Sequence, residues 1–119
     1  MGLQIASLIA RYDATVSTTG VKLSFSLNSA RSYQVQHAVI LLGGGSTGSE
    51  VQWYFSDGGG NKTLVYGCLR DSANILSTTG IGNAGPINNQ TTLNLDVVVH
   101  PGTTPSLRGT ISLLEKAVT

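Results

Sequence analysis

Two glycine-rich breaks, at residues 43–49 and 56–62, cut the middle of the chain into three stretches, and each is built from residues that favour extended backbone. Residues 33–42 begin by alternating, Tyr33 and Val35 against Gln34 and Gln36, and end in the unbroken apolar run Ala38, Val39, Ile40, Leu41 and Leu42. Val51, Trp53, Tyr54 and Phe55 make the second stretch, and Leu64, Val65, Tyr66 and Leu69 anchor the third. Gly, Ser, Asn and Asp in the breaks supply the positive-φ positions that chain reversals need, so residues 33–70 read as a three-strand antiparallel meander. Neighbours of opposite parity point to opposite faces of a strand, so either Tyr54 or the Trp53/Phe55 pair is expected outside the core. The run 38–42, apolar on both parities, is expected to enter the middle of the structure or to have its second face covered by a partner subunit.

Alternation is cleaner on either side. Val21, Leu23, Phe25 and Leu27 alternate with Lys22, Ser24, Ser26 and Asn28, and Leu93, Leu95, Val97 and Val99 alternate with polar positions such as Asn94 and Asp96. Each predicts a strand with one buried and one wet face. Pro101 and Gly102 force a turn after the second. Residues 107–118 fit a strand by alternation and a helix by the spacing of Leu107, Ile111, Leu114 and Val118; Gly109, Thr110 and Ile111 weaken the helix, and the strand is favoured. Residues 70–90, with Ile75, Leu76, Ile81 and Ile87 as apolar anchors among Gly and Asn, read as a long contact-making loop. At the N-terminus Leu3, Ile5, Leu8 and Ile9 follow a mixed pattern, a short strand or an arm over residues 1–10 laid on a neighbour. The sum is one all-β domain over residues 1–119, an antiparallel β-sandwich or jelly-roll-like barrel of about 7–8 strands.

Charge is sparse. Only 11% of residues are Asp, Glu, Lys or Arg and 40% are apolar, against roughly a quarter charged in an average soluble domain. Such a surface is poorly protected against self-association and suits a subunit packed into an assembly. The basic residues Arg11, Lys22, Arg31, Lys62, Arg70, Arg108 and Lys116 are scattered singly, which is not the stripe that nucleic-acid binding needs. One cysteine, Cys68, excludes an intramolecular disulfide framework and reads as a small buried hydrophobe. The N-terminal apolar residues lack a preceding charged region, and no run reaches the length of a membrane helix, so neither a secretory signal nor a membrane span is expected.

Motifs that could carry chemistry resolve into turns and strands. Gly43, Gly45 and Gly48 satisfy the dinucleotide glycine pattern, but a strand rather than a helix is expected next, and Ser49 stands where a phosphate loop requires Lys. His37 and His100 lie in or at the end of strands without other ligands at metal spacing. No G-x-S-x-G elbow is present, and Asp57 and Asp96 form no acid/base pair. No cofactor, metal or catalytic residue is assigned, and no enzymatic activity is expected. Tyr54 beside Asp57 and Asn61 could offer an aromatic face and hydroxyl-binding groups to a sugar.

A short chain rich in Gly and Thr, poor in charge and wholly β resembles the small structural proteins of virions, above all the β-sandwich or jelly-roll decoration (cement) and vertex proteins of bacteriophages. The resemblance is one of composition and pattern over the whole chain. The pattern departs from the coat proteins of single-stranded RNA phages, which end in two helices after their sheet. The resemblance implies a homo-oligomer, made in the host cytoplasm and placed in the virion, that contacts major capsid or other virion proteins, without specific nucleic acid or membrane. Leu3, Ile5, Leu8 and Ile9 of the arm and Ile75, Leu76, Ile81 and Ile87 of the loop are then the candidate interface. The alternative is a carbohydrate- or receptor-binding β-sandwich of a phage, with Tyr54, Asp57 and Asn61 as the glycan contact.

Overall fold

The computed structural model describes residues 4–43, 49–72, 75–81 and 86–117, with the backbone alone at 4, 5, 68–72 and 75–81. In chain order the strands are β1 (Gln4–Thr15), β2 (Gly20–Ser26), β3 (Arg31–Gly43), β4 (Glu50–Asp57), β5 (Lys62–Ser72), β6 (Ile75–Ile81), the two-residue β7 (Ile87–Asn88), β8 (Gln90–Val98) and β9 (Ser106–Ala117). They form two antiparallel sheets, one of order β1-β9-β3-β7 and one of order β2-β8-β4-β5-β6, packed as a sandwich. No helix among the described residues is long and apolar enough to cross a membrane.

The expected meander is half right. β4 and β5 form the hairpin, but β3 lies in the other sheet, so the first glycine-rich break carries the chain from one sheet to the other. The place beside β4 that a meander would give to β3 is taken by β8, whose Leu93, Leu95 and Val97 pair with Phe55, Trp53 and Val51. Residues 70–90, expected as one loop, hold the end of β5, all of β6 and β7. The segment read as a short strand or an arm is, from Gln4 on, part of β1, which pairs with β9 through Thr15. The C-terminal segment is a strand, with Leu107, Ile111 and Leu113 facing inward and no more than 1% exposed.

Three bulges decide which apolar residues face the core. The β3–β9 register shifts between Val35 and His37, so Tyr33 and Val35 point inward before the shift and Ala38, Ile40 and Leu42 after it. A bulge turns the strand over by one residue, so within the apolar run Ala38, Ile40 and Leu42 face the core and Val39 and Leu41 face outward. In β5, Tyr66 opposes Trp53 and Leu64 opposes Tyr54, which leaves Val65 as the extra residue and sends both Val65 and Tyr66 toward the core. In β2 the shift between Val21 and Leu23 leaves Val21 on the outside, 50% exposed, against its expected place on the buried face.

Trp53 fills the centre. Trp53, Phe55, Leu93 and Leu95 from one sheet and Leu107, Ile111 and Leu113 from the other are essentially sealed from solvent, and each such side chain contributes roughly 1.5–3 kcal/mol through burial. Room for the indole comes from Gly109 of β9, where a Cβ would lie 3.1 Å from Trp53 Cζ2. The turn from β8 to β9 follows from Pro101 and Gly102: proline presets φ at the second position, Gly102 takes φ of 82° at the third, and the Thr103 N–H donates to the His100 carbonyl at 3.2 Å. Asn89, with φ of 64°, separates β7 in one sheet from β8 in the other. Asparagine tolerates that conformation, which lets one short segment serve both layers.

Candidate functional site

The outer face of the β1-β9-β3 sheet carries several exposed or half-buried apolar side chains. Its rows follow from the register: Ile9, Ser112 and His37 across the three strands, then Arg11, Thr110 and Val39, then Asp13, Arg108 and Leu41. Ile9 is 57% and Leu41 48% exposed, while Val39 and Leu114 are half-buried. The Arg108 Nε meets Asp13 Oδ2 at 3.3 Å with both side chains about two-thirds in solvent, a pair worth less than about 1 kcal/mol. Beside it, Leu41, Gly43, Ser106 and Arg108 are among the walls of an open recess of about 350 Å³. On the opposite sheet Val98 is 52% exposed, beside the outward-thrown Val21.

A part-buried polar link ties β3 to β9. The Tyr33 hydroxyl donates to Glu115 Oε2 at 2.6 Å and accepts the Asn28 N–H at 2.8 Å. Burial, reinforced by the bond to Glu115, pushes the Tyr33 phenol up to about 12 from its ordinary 10.0. The hydroxyl therefore stays protonated as a donor through the whole neutral range.

The β4–β5 turn is closed by its own polar groups. Asp57 Oδ1 accepts from the N–H groups of Gly59 at 2.8 Å and Asn61 at 3.0 Å, and Oδ2 accepts the Asn61 side-chain amide at 3.0 Å. The Asn61 amide first, then these N–H groups, hold the Asp57 carboxyl below the usual carboxylate range. Gly60, with φ of 86°, follows the turn closed by its N–H to the Asp57 carbonyl, the pattern of a short hairpin loop ending in a left-handed glycine. Next to it the Lys62 ammonium sits 4.8 Å from the Tyr54 ring centroid.

Sequence reasoning brought Tyr54, Asp57 and Asn61 together, and the structure does place them at one end of the hairpin. Tyr54, though on the outer side of its sheet and outside the core cluster, is only 6% exposed. Its ring faces Lys62, and both Asp57 oxygens are taken by the loop, so the arrangement offers no open stacking face. Trp53 and Phe55 are fully within the core, as the parity argument allowed. Of the apolar candidates, Ile9 is exposed on the outer face of β1, Leu8 packs half-buried against the core, and Ile87 is half-buried where β7 pairs with Tyr33. Leu3 lies outside the described residues. Ile5, Ile75, Leu76 and Ile81 lie on β1 and β6, and their side chains, like that of Cys68, are outside the described set. Val21, Val39, Leu41 and Val98 are not among the candidate interface residues; without the bulges in β2 and β3 the first three would face inward. His37 and His100 are exposed, and no cluster of His, Cys, Asp and Glu among the described residues could hold a metal.

These features define an antiparallel β-sandwich domain with apolar side chains on both outer faces. No protein-family model matches the chain, and neither does any curated protein. Among solved structures it is similar to the SPBc2 prophage-derived protein YomS, with 16% identity, 91% of this chain and 96% of that one covered, and a TM-score of 0.46. It is also similar to a Bacillus endospore appendage protein of disulfide-linked pili, with 15% identity, 99% and 92% covered, and a TM-score of 0.49.

Proposed function

We propose that the protein is a structural subunit of a virion, a capsid decoration, cement or capsid-associated protein that self-associates and binds neighbouring shell proteins. The observation that carries the reading is a finished core combined with apolar side chains left about half exposed on both outer faces: Ile9 and Leu41 on one, Val21 and Val98 on the other. Single exposed hydrophobics are ordinary, but here seven basic and six acidic residues serve the whole chain, so little charge opposes contact. Burial of these faces between subunits would lock a shell mechanically, without a reaction.

Strand order supports the same reading. The β4–β5 hairpin is flanked by the β2–β8 pair, and β1–β9 pairs in the other sheet, a nesting in keeping with a jelly roll, the architecture capsid proteins share with lectins and cupins. β6 departs from it by pairing with β5 in the same sheet. Because many functions use that architecture, the surface carries the proposal and the strand order accompanies it. The test is the mass of the chain in solution with and without a charge on each outer face. An oligomer whose mass falls in Leu41→Glu or Val98→Glu supports the reading; a monomer at every concentration overturns it.

A further inference from the structure

β1 is an open sheet edge. It pairs with β9 on one side, and no described strand lies on the other. Soluble proteins blunt such edges with short length, proline, bulges or inward charges. β1 has 12 residues without Gly or Pro, and its one register shift falls at the far end, between Gln4 and Ala6. The edges at β2 and β3 are better guarded, and β6, the edge beyond β5, has only 7 residues. β2 has 7 residues and a bulge beside Lys22. β3 is covered at its start by β7 and approached by the Trp53 indole N–H, 3.5 Å from the Val39 carbonyl.

The charges of β1 say what covers it. Arg11 and Asp13 stand two positions apart on its outer face; Arg11 has no ion pair among the described residues, while Asp13 Oδ2 already meets Arg108 of its own chain. A second β1 laid antiparallel about a two-fold axis at Tyr12 sets Arg11 opposite Asp13 of the second copy, and Asp13 opposite Arg11 of that copy. Centring the axis on Arg11 or on Asp13 instead brings like charges face to face. A slip of one residue turns the second sandwich to the wrong side of the sheet. In the Tyr12-centred register residues 9–15 of the two copies pair, which also covers Tyr12, half-buried against the core beside the open edge.

We propose that two copies of this chain join edge to edge through β1, antiparallel and two-fold about Tyr12, so that their β1-β9-β3 sheets become continuous. Backbone hydrogen bonds supply the contact, and the two Arg11–Asp13 pairs set its register. The contact is isologous, the same patch serving both partners. This inference rests on the self-association proposed above.

The test uses charge reversal in the full chain, read by light scattering at a series of concentrations, with circular dichroism melts to show that each variant is folded. Arg11→Asp and Asp13→Arg each place like charges opposite one another twice about the axis, and each weakens the edge contact by about tenfold or more. An equimolar mixture of the two variants restores the association, because every facing pair in the mixed dimer is again of opposite sign. Folded single variants that associate like the unmodified chain, or a mixture that does not recover, overturn the edge pairing while self-association stands. A monomeric unmodified chain overturns both.

Discussion

An alanine at position 109 would carry its Cβ to 3.0 Å from Leu95 Cδ2 and 3.1 Å from Trp53 Cζ2, where carbon atoms pack comfortably at about 3.5–4.0 Å. Neither neighbour can swing into solvent, since both are 0% exposed. Overpacking of this kind costs about 1–3 kcal/mol. Gly109 is not among the positive-φ glycines, so alanine is not strained there and recovers about 0.4–1 kcal/mol from the unfolded chain. The net is a loss on the order of 1–2 kcal/mol, or a fall in Tm of about 4–8 °C for a domain of this size. Urea unfolding followed by the fluorescence of Trp53, the single tryptophan, measures it at the site itself. Trp53→Phe removes one of the two closest atoms that the new methyl meets, so in that background, followed by circular dichroism, Gly109→Ala costs less than in the parent. A neutral or stabilising Gly109→Ala in the parent, or strict additivity with Trp53→Phe, would refute the packing argument.

Other outcomes follow from the same geometry. Tyr33 releases its proton near 10 when unfolded and at about 12 when folded, so the folded state holds more protons in between; its contribution is complete below pH 10 and is lost as pH rises toward 12. Alkaline titration of stability should therefore show a falling limb in that window that Tyr33→Phe flattens, with a cost of about 1–2 kcal/mol at neutral pH for the unmet Asn28 N–H and Glu115. Asp57, whose carboxyl is held below its ordinary 3.8, contributes stability above that value that is lost as pH falls through the lowered one; Asp57→Ala should shrink this acid dependence and speed proteolysis at the 57–61 turn. Val21→Ser should change stability by no more than about 0.5 kcal/mol, whereas Leu95→Ala should cost about 2–5 kcal/mol, a contrast in chemical denaturation that checks the β2 bulge.

The strands were legible wherever local chemistry decided them. Leu93, Leu95 and Val97 alternate in the sequence and are buried in the structure because β8 is central to its sheet and has no shift in its buried stretch. The Pro101–Gly102 turn was legible because each residue dictates its own φ. β6 was not, since Ser77, Thr78, Thr79 and Gly80 carry turn chemistry and the strand exists by pairing with β5. The bulges at Gln36, Val65 and Lys22 were invisible for a related reason: an extra residue is accommodated by the partner strand, and no residue type announces it. The bulges at Lys22 and Gln36 in turn decide whether Val21, Val39 and Leu41 lie inside or outside. The candidate surface was therefore less legible than the fold. The open edge of β1 was invisible as well, because edges are defined by strand order, and β1 finds its one neighbour among the described strands, β9, at the other end of the chain.

Light scattering of the purified, unmodified chain behind a sizing column, over a range of concentrations, tests the account most directly. The account predicts a mass that is a multiple of the subunit and grows or holds with concentration, with half-exposed Ile9, Leu41, Val21 and Val98 covered between copies. A mass fixed at one subunit at the highest concentration the protein tolerates would contradict it.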